Sequence, residues 1–383
     1  MADQSRDNER SKSTNRTKKR LWLIISFVFA VITCLLFCKV LYHQSVDERL
    51  TKIEAARAIP DSENAAILYY QLLDEYATCS LSSLDLDPSD VTFAGPWSSG
   101  DYPELAKWFE EKQHIIDRLL ELSEFEKCCF PIPNPSAGES INTSYLKIVR
   151  QWAFFLVRSA NNDIAEGRLD EALEKLICII RMGSHNRQQP LAVYFLTSIS
   201  LEAVGAQRIR YIIMHDDVTE EHLQVIETAL QQLNIDRNKA FEKMLKVENL
   251  YSRLSPGITG FFQRLKAWWQ GDTLDKKISE ISSRLLMDSR GSLILVALRQ
   301  YKNNTGHWPE SLDEIQPLVS EDILIDPQNN DSFVYKLSGN IFILYSKGLN
   351  NIDQNGQKGK GADDRLIWPL IGKRTKQEDV NGT

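Results

Sequence analysis

The side chains in this 383-residue chain best suited to moving protons or holding metals are six histidines: His43, His114, His185, His215, His222 and His307. None belongs to an H-E-x-x-H motif and no two stand at i, i+4, whereas a metal site needs ligands that converge. Each therefore reads as a surface or capping histidine. No G-x-S-x-G elbow is present, and the acidic pairs Glu110-Glu111 and Asp216-Asp217 read as exposed charges at helix ends and faces. The run GQKGKG at 356–361 has the glycines of a phosphate loop but no Ser or Thr after its lysine and no helix behind it, so it reads as a solvated loop. Cys34 and Cys38 fall in an apolar run; of the others, Cys79 could bridge Cys128 or Cys129 in an oxidising compartment, with buried free thiols as the alternative. The residue types define no catalytic constellation.

The element that would position everything else is the uncharged stretch LWLIISFVFAVITCLLFC, Leu21 to Cys38, extended by VLY to Tyr42. At about 1.5 Å per residue it can cross a hydrocarbon core of about 30 Å. Arg6, Arg10, Lys12, Arg16, Lys18, Lys19 and Arg20 precede it and only Lys39 follows closely. That asymmetry predicts a signal anchor with its N-terminus in the cytoplasm and the rest of the chain outside the plasma (inner) membrane. A cleaved signal peptide is the alternative, but its apolar core would be shorter and would end in small residues.

Beyond the anchor the composition is that of a globular protein, 43% hydrophobic and 25% charged, with a net charge of −7 although the first twenty residues are basic. An acidic exported part argues against nucleic acid as a partner. DERLTKIEAARA predicts a short helix, and Pro60-Asp61 breaks it and offers Asp61 as N-cap of the next. A helix is expected from Pro103 to about Phe125. Tyr145, Val149, Trp152, Ala153, Leu156 and Ala160, then Leu169, Ala172, Leu173, Leu176 and Ile180, repeat at three and four around a turn at Gly167. This helical hairpin resembles one tetratricopeptide repeat. The helix after Pro190 is apolar nearly all round, which suits the middle of a bundle. Thr219 is placed to cap the next, and a long helix should run from Asp236 to Pro256. In ITGFFQRLKAWWQG, Phe261, Phe262, Leu265, Trp268 and Trp269 share one face, opposite Gln263, Arg264 and Lys266. Two readings stand: a helix packed on the bundle, or one lying in the lipid interface.

The last hundred residues change character. A helix leads into ALRQYKNNTGHWP, a DP turn at Asp326-Pro327, and the β-rich runs Phe333–Tyr335 and Ile341–Tyr345 joined by Ser338-Gly339-Asn340. Ala297, Leu298, Tyr301, Lys302, Gly306, Trp308, Pro309, Asp326, Pro327, Tyr335, Tyr345, Ser346 and Gly348 resemble the C-terminal pattern of the major pseudopilins of type II secretion. The resemblance covers about a quarter of the chain. The family's processed G-F-T-L-x-E site is absent before the anchor, and some 230 residues of helical sequence are interposed. As a whole the chain resembles signal-anchored envelope proteins of planctomycete-type bacteria. The pseudopilin resemblance implies a calcium ion in the loop after the YS strand, and here that loop offers Asn350, Asp353, Asn355, Asp363 and Asp364 as hard oxygen donors.

The sequence thus predicts a mostly α protein: a basic tail (1–20), a transmembrane helix (21–42), an exported helical domain with a tetratricopeptide-like hairpin (43–272), a small α+β unit with a short antiparallel sheet (273–372) and a polar tail (373–383). The expected function is a single-pass envelope protein that binds or scaffolds a protein partner and contacts membrane lipid. A hydrolase with its site in the helical domain is the alternative. Expected metal ligands are Asp353, Asn355, Asp363 and Asp364; expected interface residues are Phe261, Phe262, Leu265, Trp268 and Trp269.

Overall fold

A computed structural model describes residues 27–34, 36–38, 41–42, 44–76, 91–134, 139, 143–233, 237–254, 273–359 and 361–370. The protein is mostly helical, with a small antiparallel sheet near its C-terminus. Among the described residues no helix is long and apolar enough to cross a membrane; residues 27–34, 36–38 and 41–42 are helical, and the remainder of the run from Leu21 lies outside them.

Residues 44–55 are helical and bury Val46 and Leu50. A 3-10 turn, Asp61–Glu63, precedes α1 (Ala65–Tyr76). The expected cap at Asp61 is not used. Asn64 takes that place, its Oδ1 accepting the N–H of Ala66 at 3.1 Å, because Asp61 is spent on the turn that redirects the chain after Pro60. α2 (Val91–Ala94) is short, and the helix expected from Pro103 to Phe125 is divided into α3 (Pro103–Glu111), α4 (Gln113–Leu120) and a 3-10 turn, Glu121–Glu124. The break at Lys112 re-aims the chain so that Phe109 and the Ile115, Ile116, Leu119 stripe can both be buried.

α5 (Thr143–Ala165) and α6 (Leu169–Arg187) form the expected hairpin, with Gly167 at φ +74° in the turn. The left-handed conformation there favours glycine. Asp163 closes the turn, its carboxylate accepting from Lys175 and from the guanidinium of Arg168 at 2.8 and 3.0 Å. α7 (Ala192–Ile213) is the central helix, packed on α5, α6 and α10 (Thr273–Thr305). Two glycines let α6 and α7 approach closely. A Cβ on Gly183 would sit 2.5 Å from Glu202 Cγ, and one on Gly205 would sit 2.7 Å from Ile180 Cγ1. α8 (Glu220–Gln232) starts at Thr219, whose hydroxyl accepts the N–H of His222 at 3.2 Å, as the sequence predicts. α9 (Arg237–Leu254) follows.

After α10 come two 3-10 turns, Leu312–Leu318 and Glu321–Leu324, and then seven short strands. β3 (Val334–Ser338), β4 (Ile341–Ser346) and β7 (Arg365–Trp368) make an antiparallel sheet in that order, with Leu337 opposite Phe342 and Tyr345 opposite Leu366. β1 (Ile325–Asp326) pairs with β2 (Asp331–Ser332), and β5 (Lys358–Gly359) with β6 (Ala362–Asp363). Gly291 of α10 lies under Ile367 of β7, where an added Cβ would meet Ile367 Cδ1 at 2.8 Å. One apolar core runs from Val46 to Ile367, so the helices and the sheet share an interior. Buried Arg210 of α7 ties them further: it donates to Ser292 Oγ, to Asp288 and to the carbonyl of Ile367.

Candidate functional site: a cationic cleft

The stretch 126–130 belongs to no sheet: one isolated parallel bridge joins Lys127 to Asn64, with the Ala65 N–H donating to Lys127 O at 2.9 Å, and side-chain amides bond much of its other backbone. Asn64 Oδ1 accepts from Cys129 N–H at 2.8 Å and its Nδ2 donates to Cys129 O at 3.1 Å. Gln188 does the same between Cys128 N–H (2.8 Å) and Glu126 O (2.9 Å), and Gln189 between Phe130 N–H (3.1 Å) and Cys128 O (2.9 Å). Buried backbone groups left unpaired would be costly, so these amides fix the stretch against the α6–α7 junction. Gln189 Oε1 also accepts from Arg57 at 2.7 Å, while the same guanidinium donates to Glu54 and Phe130 O.

This clasp forms one wall of a cleft of about 720 Å³. Its lining comes from the turn at Ala56, Arg57 and Ile59, from residues 126–129, from the end of α6, with Arg181, Ser184 and Arg187, and from the start of α9, with Lys239 and Lys243. Among the described lining residues, six cations, Arg57, Lys127, Arg181, Arg187, Lys239 and Lys243, stand against one acid, Glu126. Carboxylates just outside compensate some of them: Glu54 for Arg57 at 2.9 Å, Glu63 for Lys127 at 2.6 Å and buried Glu202 for Arg187 at 3.6 Å. Arg181 and Lys243 have no ion-pair partner among the described residues. Burial, and then the positive charge of Arg57, hold the Lys243 ammonium below its ordinary pKa. A cation so placed gains from an incoming anion.

The cleft offers little for catalysis. Both cysteines on its wall have thiol pKa values raised by burial, which keeps them protonated and weakly nucleophilic. Among the described residues no histidine lines it. His185 is wholly buried behind the clasp, with Nε2 donating to Phe125 O at 2.8 Å and Nδ1 facing the Tyr69 hydroxyl at 3.3 Å. Its pKa is lowered to about 4, chiefly by burial.

Asp353 and Asn355 lie on the loop after β4 and Asp363 and Asp364 at the end of β6, each with other partners. Asp353 Oδ1 accepts from the Tyr345 hydroxyl at 2.6 Å, and the Lys336 ammonium bridges Asp353 Oδ2 (3.2 Å) and Asn355 Oδ1 (2.8 Å). Asp363 Oδ2 accepts the N–H groups of Leu349 and Asn350, and Asp364 Oδ2 those of Gln354 and Gly356. Among the described residues no three His, Cys, Asp or Glu side chains gather as a metal site. Asp363 Oδ1 and Asp364 Oδ1 are nevertheless buried without a hydrogen-bond partner, which would suit a cation. Phe261, Phe262, Leu265, Trp268 and Trp269 lie outside the described residues, as does Cys79; Cys128, Cys129 and Cys178 are free thiols.

Sequence reasoning did not find the cleft. Two signals were present: Lys239 and Lys243 at i, i+4, a like-charge pair that costs an isolated helix stability, and Arg181 and Ser184 one turn apart on α6. No known protein family, no curated protein and no solved structure matches the chain.

Proposed function

We propose that this chain is a membrane-anchored binding protein of the cell envelope whose helical body takes an anionic ligand in the cleft between α6, α9 and the 126–130 clasp. The observation that carries the reading is the excess of cations over the one acid among the described lining residues. A pocket of this size accommodates a small molecule or a short polar segment of a larger partner. The protonated thiols, with no histidine among the described lining residues, favour binding over hydrolysis at this position. The anchor reading is supported by the length and flanking charge of the run from Leu21 and by the exposed apolar side chains Phe27, Phe29, Leu36 and Phe37 on its described part. In that topology the N-terminus stays in the cytoplasm and the cleft lies outside. Phe261, Phe262, Leu265, Trp268 and Trp269 would add an interfacial contact with lipid.

The test is a melting series of the full chain in neutral detergent with multivalent anions. Phosphate or citrate should raise the midpoint of the wild type by mass action and leave a Lys239→Gln/Lys243→Gln variant unmoved. If no anion shifts the wild type, the cleft is not an anion site.

A second reading concerns the C-terminal loop. The partnerless oxygens of Asp363 and Asp364 support a calcium ion held there, with Asp353 and Asn355 released from Lys336 to complete the shell. The ion would act as a structural clip on the loop.

A further inference from the structure

Two cations in the cleft are left over once the carboxylates have been assigned. Arg181 on α6 and Lys243 on α9 line the same cleft from different helices, and neither has an ion-pair partner among the described residues. Lys243 is also held close to a like charge, that of Arg57. The charge that would balance this pair is a double negative one on a single compact group. A phosphate monoester carries about −1.5 to −2 at neutral pH and directs three acceptor oxygens around a tetrahedron. It can therefore accept from donors on different helices at once, whereas a carboxylate's two oxygens share one plane and match a single guanidinium fork. The Ser184 hydroxyl, one turn from Arg181 on the same helix face, lines the same space and supplies a neutral donor.

The cleft also limits what the phosphate is attached to. It shares Arg181 and Ser184 with a small recess of about 30 Å³ whose apolar walls are Ile177, Ile180, Ala229 and Leu233. That recess admits a methyl group or a water, not an acyl chain. The remaining space suits a compact polar group such as a glycerol or a sugar.

Resting on the anion-binding reading above, we propose that the cleft binds a phosphate monoester on a small polar carrier, its phosphate held between Arg181 and Lys243. The carrier is either a soluble metabolite or the headgroup of a lipid whose tails stay in the bilayer.

The experiment uses the full chain. In neutral detergent, calorimetric titration with glycerol 3-phosphate and with tricarballylate compares a phosphate ester with a multivalent carboxylate. In nanodiscs, titration of phosphatidic acid against phosphatidylcholine tests the lipid source. Binding of either phosphate ester, weakened at least about tenfold by Arg181→Gln and by Lys243→Gln, supports the assignment. Because neither side chain has an ion pair to lose, both variants should melt within a few degrees of the wild type. If one fails to fold, Lys243→Arg keeps the charge and must keep the affinity. Tricarballylate binding that depends on the same two residues, without ester binding, overturns the phosphate assignment and leaves the anion site standing. Ester binding indifferent to both variants also overturns it. No binding of any probe removes the anion site itself.

Discussion

Replacing Arg210 by Met tests whether the helices and the sheet are one cooperative structure. The Arg210 side chain is 1% exposed and makes four hydrogen bonds: Nε to Ser292 Oγ at 2.9 Å, one terminal nitrogen to Ile367 O at 3.2 Å, and the other to Asp288 O and Oδ1 at 2.9 and 2.7 Å. Met fills most of the volume but donates nothing. The Asp288 side chain, 14% exposed, then loses its ion-pair partner, and the Ile367 carbonyl loses its side-chain donor. Breaking one side of a buried ion pair typically costs about 3 to 5 kcal/mol. We expect the lower half of that range, because Asp288 retains some access to water. The assay is urea unfolding of the full chain in neutral detergent, followed by far-UV circular dichroism and by tryptophan fluorescence. Trp97 and Trp152 report from the helices, Trp308 and Trp368 from the C-terminal unit. Both probes should move together to lower urea. The double variant Arg210→Met/Asp288→Leu should recover much of the loss, since an apolar replacement of both partners removes the charge that lost its partner. A loss below about 1 kcal/mol, or a fluorescence transition separate from that of the helices, would refute the reasoning.

Other outcomes follow from the same geometry. His185 has its pKa lowered to about 4 by burial, against about 6.5 unfolded, so the unfolded chain binds more protons between those values. Stability from this group is complete above about pH 6.5 and lost as pH falls towards 4; between pH 7 and 5 the wild type should lose about 2 kcal/mol more than His185→Asn, and parallel pH profiles would exclude the effect. Gly183→Ala should destabilise by about 1 to 3 kcal/mol despite alanine's better helix propensity, because the new Cβ would lie 2.5 Å from Glu202 Cγ and 3.1 Å from Ser198 O; a raised melting midpoint would contradict it. A reporter active only in the cytoplasm should work when fused before Leu21 and fail after Thr383, and the reverse pattern would sink the anchor. Millimolar calcium should raise the melting midpoint of the full chain but not of Asp363→Asn/Asp364→Asn; identical curves with calcium and with chelator would remove that site.

The sequence by itself determined the elements whose causes are local. The α5–α6 hairpin follows from apolar spacing at three and four and from a glycine able to turn at φ +74°. The α8 start follows from Thr219 three residues before His222, and the β3–β4 hairpin from Ser338-Gly339-Asn340 between two β-rich runs. In each, the deciding interactions lie within a few residues, so they can be read along the chain. Tertiary structure decided what depends on crossings of distant segments. Asn64, not Asp61, caps α1, and the same amide clasps Cys129, 65 residues away. Gln188 and Gln189 carry no signal along the chain, yet their amides bond the backbone of residues 126–130 some 60 residues away. The cleft gathers Arg57, Lys127, Arg181 and Lys243 from four separate segments, and its charge exists only where the fold brings them together and leaves two of them without a carboxylate. Charge sums along a chain that is acidic overall hide such a site, because electrostatic energy depends on separation in space and on burial, and neither is a property of sequence order.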